Sequence, residues 1–154
     1  MALPLDDVRA QYPALVPMVA TLGLEVLDLT PDRSVMLLPD AAAYRNHVGG
    51  PHAGAMFTLA ESASGILVLA AFGDLFDEAT PFPVEATIRF LKVARGPVTA
   101  VASLGPEAAH AVATLRSGSR PEFPVEVELT TGEGEDRLVT GAMTVLWTLR
   151  PTRR

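Results

Sequence analysis

The twenty residues Ala53 to Phe72 (AGAMFTLAESASGILVLAAF) constrain this chain more than any other feature. Apolar and small residues surround the predicted helix on almost every side, so it cannot lie on a surface and must be enclosed. Gly73 marks its end. One carboxylate, Glu61, interrupts it. Desolvating an unpaired carboxylate is expensive, so a glutamate in such a helix points to a partner or to a chemical task. A membrane span is the other reading of a run this long. Thr58, Glu61, Ser62 and Ser64 argue against it, because a mid-span carboxylate costs roughly 2.5–3.5 kcal/mol on insertion scales. The expected setting is the core of a globular protein.

The flanking sequence supplies something to enclose the helix. Asp6 to Leu22 reads as one or two short helices broken at Pro13 and Pro17, with Gly23 as the stop. Leu24–Leu29 and Ser34–Leu38 read as strands around a Pro31-Asp32 turn, and a polar loop runs from Pro39 to Pro51. After the helix, Val84 to Lys92 alternates with period two. Gly96-Pro97 turns the chain into a strand over Val98–Leu104. Pro106–Leu115 fits a short helix or a bulged strand. Phe123–Thr131 and Arg137–Leu149 form a hairpin closed by Gly132 to Asp136. An antiparallel sheet of about five to six strands wrapped around the central helix accounts for this order, because the helix gives each strand its apolar face.

Length and charge narrow the function. At 154 residues the chain is most simply one domain over 1–154, with an N-terminal helical segment over 1–22. A net charge of −6 argues against nucleic acid, and Arg150, Arg153 and Arg154 make only a short basic tail. The absence of cysteine removes disulfides, thiolate metal sites and thiol nucleophiles. Acidic residues in MALPLDDVRA do not suit a secretory signal, so a cytoplasmic location is expected. His47, His52 and His110 lack ligand spacing, so no metal is expected. Ser62 and Ser64 lack the G-x-S-x-G elbow of a serine hydrolase.

What remains is the stretch Asn46 to Gly65 (NHVGGPHAGAMFTLAESASG). A glycine-rich loop delivers backbone amides at a helix N-terminus, where an anionic oxygen can be held. Glu61 follows in the same helix. Asn46 is also suited to capping a turn, and Gly49-Gly50-Pro51 to making one.

These residues resemble a family. Asn46, the His52-Ala53-Gly54 step and an acid nine residues after the histidine look like the hotdog-fold acyl-CoA thioesterases. The nearest branch is that of the phenylacetate-pathway and 4-hydroxybenzoyl-CoA enzymes, uncharacterised members included. Ile88 to Gly96 is similar to that family's third strand and turn. The resemblance covers roughly residues 20 to 149. It implies an α+β hotdog fold and hydrolysis of an acyl thioester, with coenzyme A present only as part of the substrate. By the same resemblance Glu61 is the nucleophile or general base, and the Ala53 amide, helped by Gly54, polarises the carbonyl. Asn46 orients water or thioester, and His52 stands at the helix entrance. The usual loop is His-Gly-Gly, so the Ala53 methyl narrows the approach. The position of the usual third-strand Ser or Thr helper falls on Pro83, which leaves Thr80 or Thr87. Arg95, with Lys92, stands where coenzyme A phosphates could be met.

Helix geometry adds a constraint of its own. Nine residues separate His52 from Glu61 by roughly 13 Å along the axis, too far to act on one thioester from within one subunit. A two-fold partner supplies the missing half, so a homodimer or dimer of dimers with shared sites is expected. Two other readings fit the same frame. One is a non-catalytic acyl- or CoA-ester-binding protein, which Ala53 and Pro83 favour. The other is a hydratase or dehydratase with His52 and Glu61 as an acid–base pair.

Overall fold

In the computed structural model, which describes residues 4–152, six strands form a single sheet. They are β1 (Glu25–Leu29), β2 (Arg33–Leu38), β3 (Ala79–Phe90), β4 (Val98–Leu104), β5 (Glu122–Thr131) and β6 (Leu138–Pro151). Neighbours pair antiparallel in the order β1-β2-β4-β5-β6-β3, which leaves β3 and β1 as the edges. The helices are α1 (Leu5–Leu15), α2 (Pro17–Thr21), α3 (Ala53–Phe72) and α4 (Ala108–Arg116). Residues 1–3 of the expected N-terminal segment, and Arg153 and Arg154 of the basic tail, lie outside the described residues.

The sheet curls around α3, which packs on β2, β4 and β5. Leu59, Ala60, Ala63, Ile66, Leu67 and Val68 are fully enclosed, and Phe72 meets Phe123 of β5 with ring centroids 4.9 Å apart. Burying each large aliphatic side chain contributes about 1.5–3 kcal/mol, which is how a helix with no polar face holds its place. Among the described residues α3 is the one helix long and apolar enough to cross a membrane, and 67% of its apolar window is buried inside the fold. The expected α+β sheet around a central helix is the observed architecture.

Two segments depart from expectation, and the structure decides a third. Pro13 does not break the first helix: α1 runs through it and the break falls at Val16, with Pro17 opening α2. Pro13 sits in the last turn, so its missing N–H removes one bond, and the buried Val8 and Tyr12 anchor the helix before it. The strand expected from Val84 begins at Ala79 instead. Pro81 and Pro83 lie on an edge strand, where their N–H would face away from the ladder, and the register shifts between Pro83 and Glu85. The undecided segment is a helix, α4, with Ala108, Ala111 and Leu115 buried at helical spacing.

Candidate functional site

The start of α3 is fixed by the loop before it. Asn46 Oδ1 accepts from Val48 N and Gly50 N at 3.1 Å each, and its Nδ2 donates to Pro51 O at 3.2 Å. Asn46 therefore shapes the loop, as an Asx-type turn does, and keeps one Nδ2 proton for a ligand. Arg95 Nη1 donates to Val48 O at 3.1 Å and ties this loop to the β3–β4 connection. Gly50 packs so closely on the Ala94 carbonyl that a Cβ there would collide with backbone. Gly50→Ala is expected to destabilise the fold by about 1–3 kcal/mol, the usual range for overpacking, as thermal or urea unfolding would show.

The first amides of α3 divide their tasks. His52 is the N-cap, and its Nδ1 accepts from Gly54 N at 2.9 Å. An imidazole that caps in this way when neutral carries its proton on Nε2. Ala55 N bonds to His52 O at 2.9 Å. Ala53 N has no acceptor among the described residues, so it is the amide left to receive an anionic oxygen. It lines a cleft of about 350 Å³ together with Asn46, Phe90 and Lys92. His52, Gly54 and Thr58 line a different cleft of about 360 Å³, on the side of α2. The structure thus brings Asn46 and Ala53 together but sets His52 apart from them.

Eight residues beyond Ala53, Glu61 lies half-buried on the flank of α3 that also carries Gly54, Phe57 and Thr58. Its carboxylate makes no hydrogen bond or ion pair with any described residue. Burial pushes its pKa above the usual carboxylate value of 4.5. The helix around it is held by side-chain donors to three successive carbonyls. Ser64 Oγ donates to Glu61 O, Tyr12 Oη to Ser62 O and Ser34 Oγ to Ala63 O, each at 2.7 Å. Trp147 Nε1 of β6 donates to Ser64 Oγ at 3.1 Å and completes the brace. Burial first, then the Glu61 charge, raises the pKa of the Tyr12 hydroxyl, so Tyr12 stays a neutral donor. These bonds fix the backbone that carries Glu61 while leaving its carboxylate unengaged, the arrangement a positioned base requires.

Sequence reasoning missed Tyr12 and Trp147. The one signal was Gly65 inside an otherwise good helix, since such a glycine often marks a close approach. A Cβ there would stand 2.9 Å from Tyr12 Oη and 3.7 Å from the Trp147 ring. Ser62 Oγ is buried with no hydrogen-bond partner and Ser64 Oγ is engaged on both sides, so neither has a base to activate it. Thr80 is exposed at the start of β3 and lines a separate cavity. Thr87 pairs with Thr144, while its neighbours Ala86 and Ile88 pack on the core; it therefore points to the outer face, away from α3. Among the described residues no three His, Asp or Glu side chains converge to hold a metal.

A six-stranded antiparallel sheet curled around one buried helix, with a free amide at the helix start and a carboxylate within, defines a protein of the hotdog fold. The chain belongs to the family described as Domain of unknown function (DUF4442), which matches residues 8–148, within the hotdog thioesterase superfamily. Among solved structures it is similar to a Pseudomonas aeruginosa protein described as a "Protein of Unknown Function" and "Probable Thioesterase". That protein shares 30% identity over 99% of each chain, with a TM-score of 0.84. It is also similar to a thioesterase family protein from Silicibacter pomeroyi, at 20% identity over 97% of this chain and 100% of the other, TM-score 0.75. The E. coli PaaI protein from the phenylacetic acid degradation operon shares 15% identity over 95% of each chain, TM-score 0.65. The last two likenesses are of fold. No curated protein matches the sequence.

Proposed function

We propose that this chain is an acyl-CoA thioesterase acting in the cytoplasm as a homodimer or dimer of dimers. The observation that carries the reading is the pairing, on one helix, of an unengaged Ala53 amide with an unpartnered, half-buried Glu61. Eight residues place them roughly 12 Å apart along the axis, so a thioester is bound between Ala53 of one subunit and Glu61 of the other. Glu61 either takes a proton from water, which attacks the carbonyl carbon, or attacks that carbon itself to form an acyl–glutamyl anhydride that water then hydrolyses to the free acid. The carbonyl oxygen becomes an oxyanion against the Ala53 N–H, and collapse expels the coenzyme A thiolate. Asn46 offers its spare Nδ2 proton to the same cleft, and His52 holds the helix start in register. Lys92 lines the cleft and would meet the phosphates, with Arg95 nearby on the same connection, bonded to Val48 O.

The unpaired edge strand supports the dimer. Phe82, Val84, Phe90, Leu91 and Val93, on or just beyond β3, are between 45% and 60% exposed, and such an edge is a template for a second copy. Light scattering is expected to give a multiple of the 16.3 kDa chain mass; a fully active monomer would remove the shared site.

One observation favours a second reading. With Gly54 N given to His52, a single amide remains for the oxyanion, which suits a protein that binds acyl-CoA without turnover. Hydrolysis in ¹⁸O-labelled water separates the two: label in a released acid supports the thioesterase, and bound ester recovered intact supports the binding protein.

A further inference from the structure

Away from the helix start, α1, the end of α3 and the beginning of β3 border a half-open cavity of about 600 Å³. Val8 and Leu15 of α1, Leu69 and Ala70 of α3, Gly73 beyond it and Pro81 of β3 line it. Its volume falls within the range of small-molecule sites, about 300–1,000 Å³. Gln11 and Thr80 are polar, and the one charged residue of the wall is Asp77. A lining with no cation and one acid rejects an anionic headgroup but accepts the neutral apolar part of a molecule whose charge lies elsewhere.

The position of the cavity says which molecule. Leu69 stands eight residues beyond Glu61, as far past it as Ala53 stands before it, roughly 12 Å along the axis each way. In an antiparallel pairing of two β3 edges, the start of one strand lies beside the end of the other. Thr80 and Pro81, at the start of β3, line this cavity, and Phe90, at its end, lines the cleft that holds Ala53. Pairing therefore sets the cavity of one subunit beside the Ala53 cleft of its partner, with Glu61 of the first subunit between. Most of the apolar wall is aliphatic, with Phe76 its one aromatic side chain, and such a wall grips a flexible chain by area, about fourfold in affinity per buried methylene. We propose that this cavity takes the tail of the thioester, and that the substrate class is aliphatic acyl rather than aryl. The proposal rests on the thioesterase reading for its chemistry but not for its binding.

Gly73 offers a clean probe. Gly73 lines the cavity and a Cβ built there meets nothing within 4 Å, so a side chain can be added at the wall. Wild type and Gly73→Leu are compared on acetyl-, octanoyl- and benzoyl-CoA, and both are titrated with 1-octanol and benzyl alcohol by calorimetry. Ala70→Leu, which narrows the cavity from the neighbouring turn, replaces Gly73→Leu if that variant folds poorly. The expected result is a wild-type preference for octanoyl over both other esters, and a fall of about tenfold in the octanoyl-to-acetyl ratio of kcat/KM in the variant. An unchanged ratio, or a benzoyl preference, overturns the proposal while leaving the thioesterase intact. If no ester is hydrolysed, the thioesterase reading falls and the cavity is judged by binding. Octanol binding weakened about tenfold by Gly73→Leu then supports it, and no binding, or equal binding, overturns it.

Discussion

Glu61→Gln is expected to fold, assemble and bind acyl-CoA while losing about 10²- to 10⁴-fold in kcat, the contribution of a positioned acid or base. The amide keeps the size of the side chain and removes the proton acceptor, and the surrounding brace of Tyr12, Ser34, Ser64 and Trp147 bonds to backbone and hydroxyl groups that the change does not touch. Two pH effects accompany it. Because burial raises the Glu61 pKa above 4.5, wild-type kcat/KM should fall as pH drops through that raised value, at higher pH than an exposed glutamate would give. Stability runs the other way. Unfolded, Glu61 releases its proton near 4.5; folded, it holds it to higher pH. The stability contributed by the neutral acid is complete below the unfolded value and is lost as pH rises through the folded one. Glutamine is neutral throughout, so the variant should melt above wild type at pH 7, with the gap closing on acidification. A variant that keeps wild-type turnover would remove Glu61 from the mechanism.

The second large effect is expected from Ala53→Pro. Proline at the first position of a helix is tolerated, since that N–H has no helical acceptor and the ring is preorganised for helical φ. The preceding residue must be extended, and His52 already is, at φ −62° and ψ 142°. The substitution therefore deletes one proton, on the amide assigned to the oxyanion, at little structural expense. Loss of such a donor lowers kcat by about 10²- to 10³-fold. KM and Tm close to wild type would separate this from misfolding, and undiminished kcat would show that the oxyanion is held elsewhere.

The central helix was legible because a twenty-residue run so rich in apolar and small residues is too long for a strand and has no polar face for a surface helix, and Glu61 stood out within it. The later strands were legible from their alternation. The start of β3 was not, because Pro81 and Pro83 signal an end of strand unless the strand is known to be an edge. Asn46 and Gly54 show the limit at the site itself: their place beside the helix start could be read, but not that Asn46 would be taken up by Val48, Gly50 and Pro51, or the Gly54 amide by His52. Tyr12 reaches Ser62 across fifty residues of sequence, and the apolar cavity draws its walls from two stretches more than fifty residues apart, 8–16 and 69–81. Such contacts leave no local pattern; Gly65 alone hinted at one.

The shared site is tested most directly by mixing two inactive proteins. Each Glu61→Gln homodimer lacks both bases and each Ala53→Pro homodimer lacks both amides. A hybrid dimer places the Glu61 of one subunit opposite the Ala53 of the other and so contains one intact site. After subunit exchange of equal amounts, half the dimers are hybrids with one working site of two, so release of free thiol from acyl-CoA is predicted to return to about a quarter of the wild-type rate. A mixture as inert as its components, with exchange shown to be complete, would contradict a thioester held between two subunits.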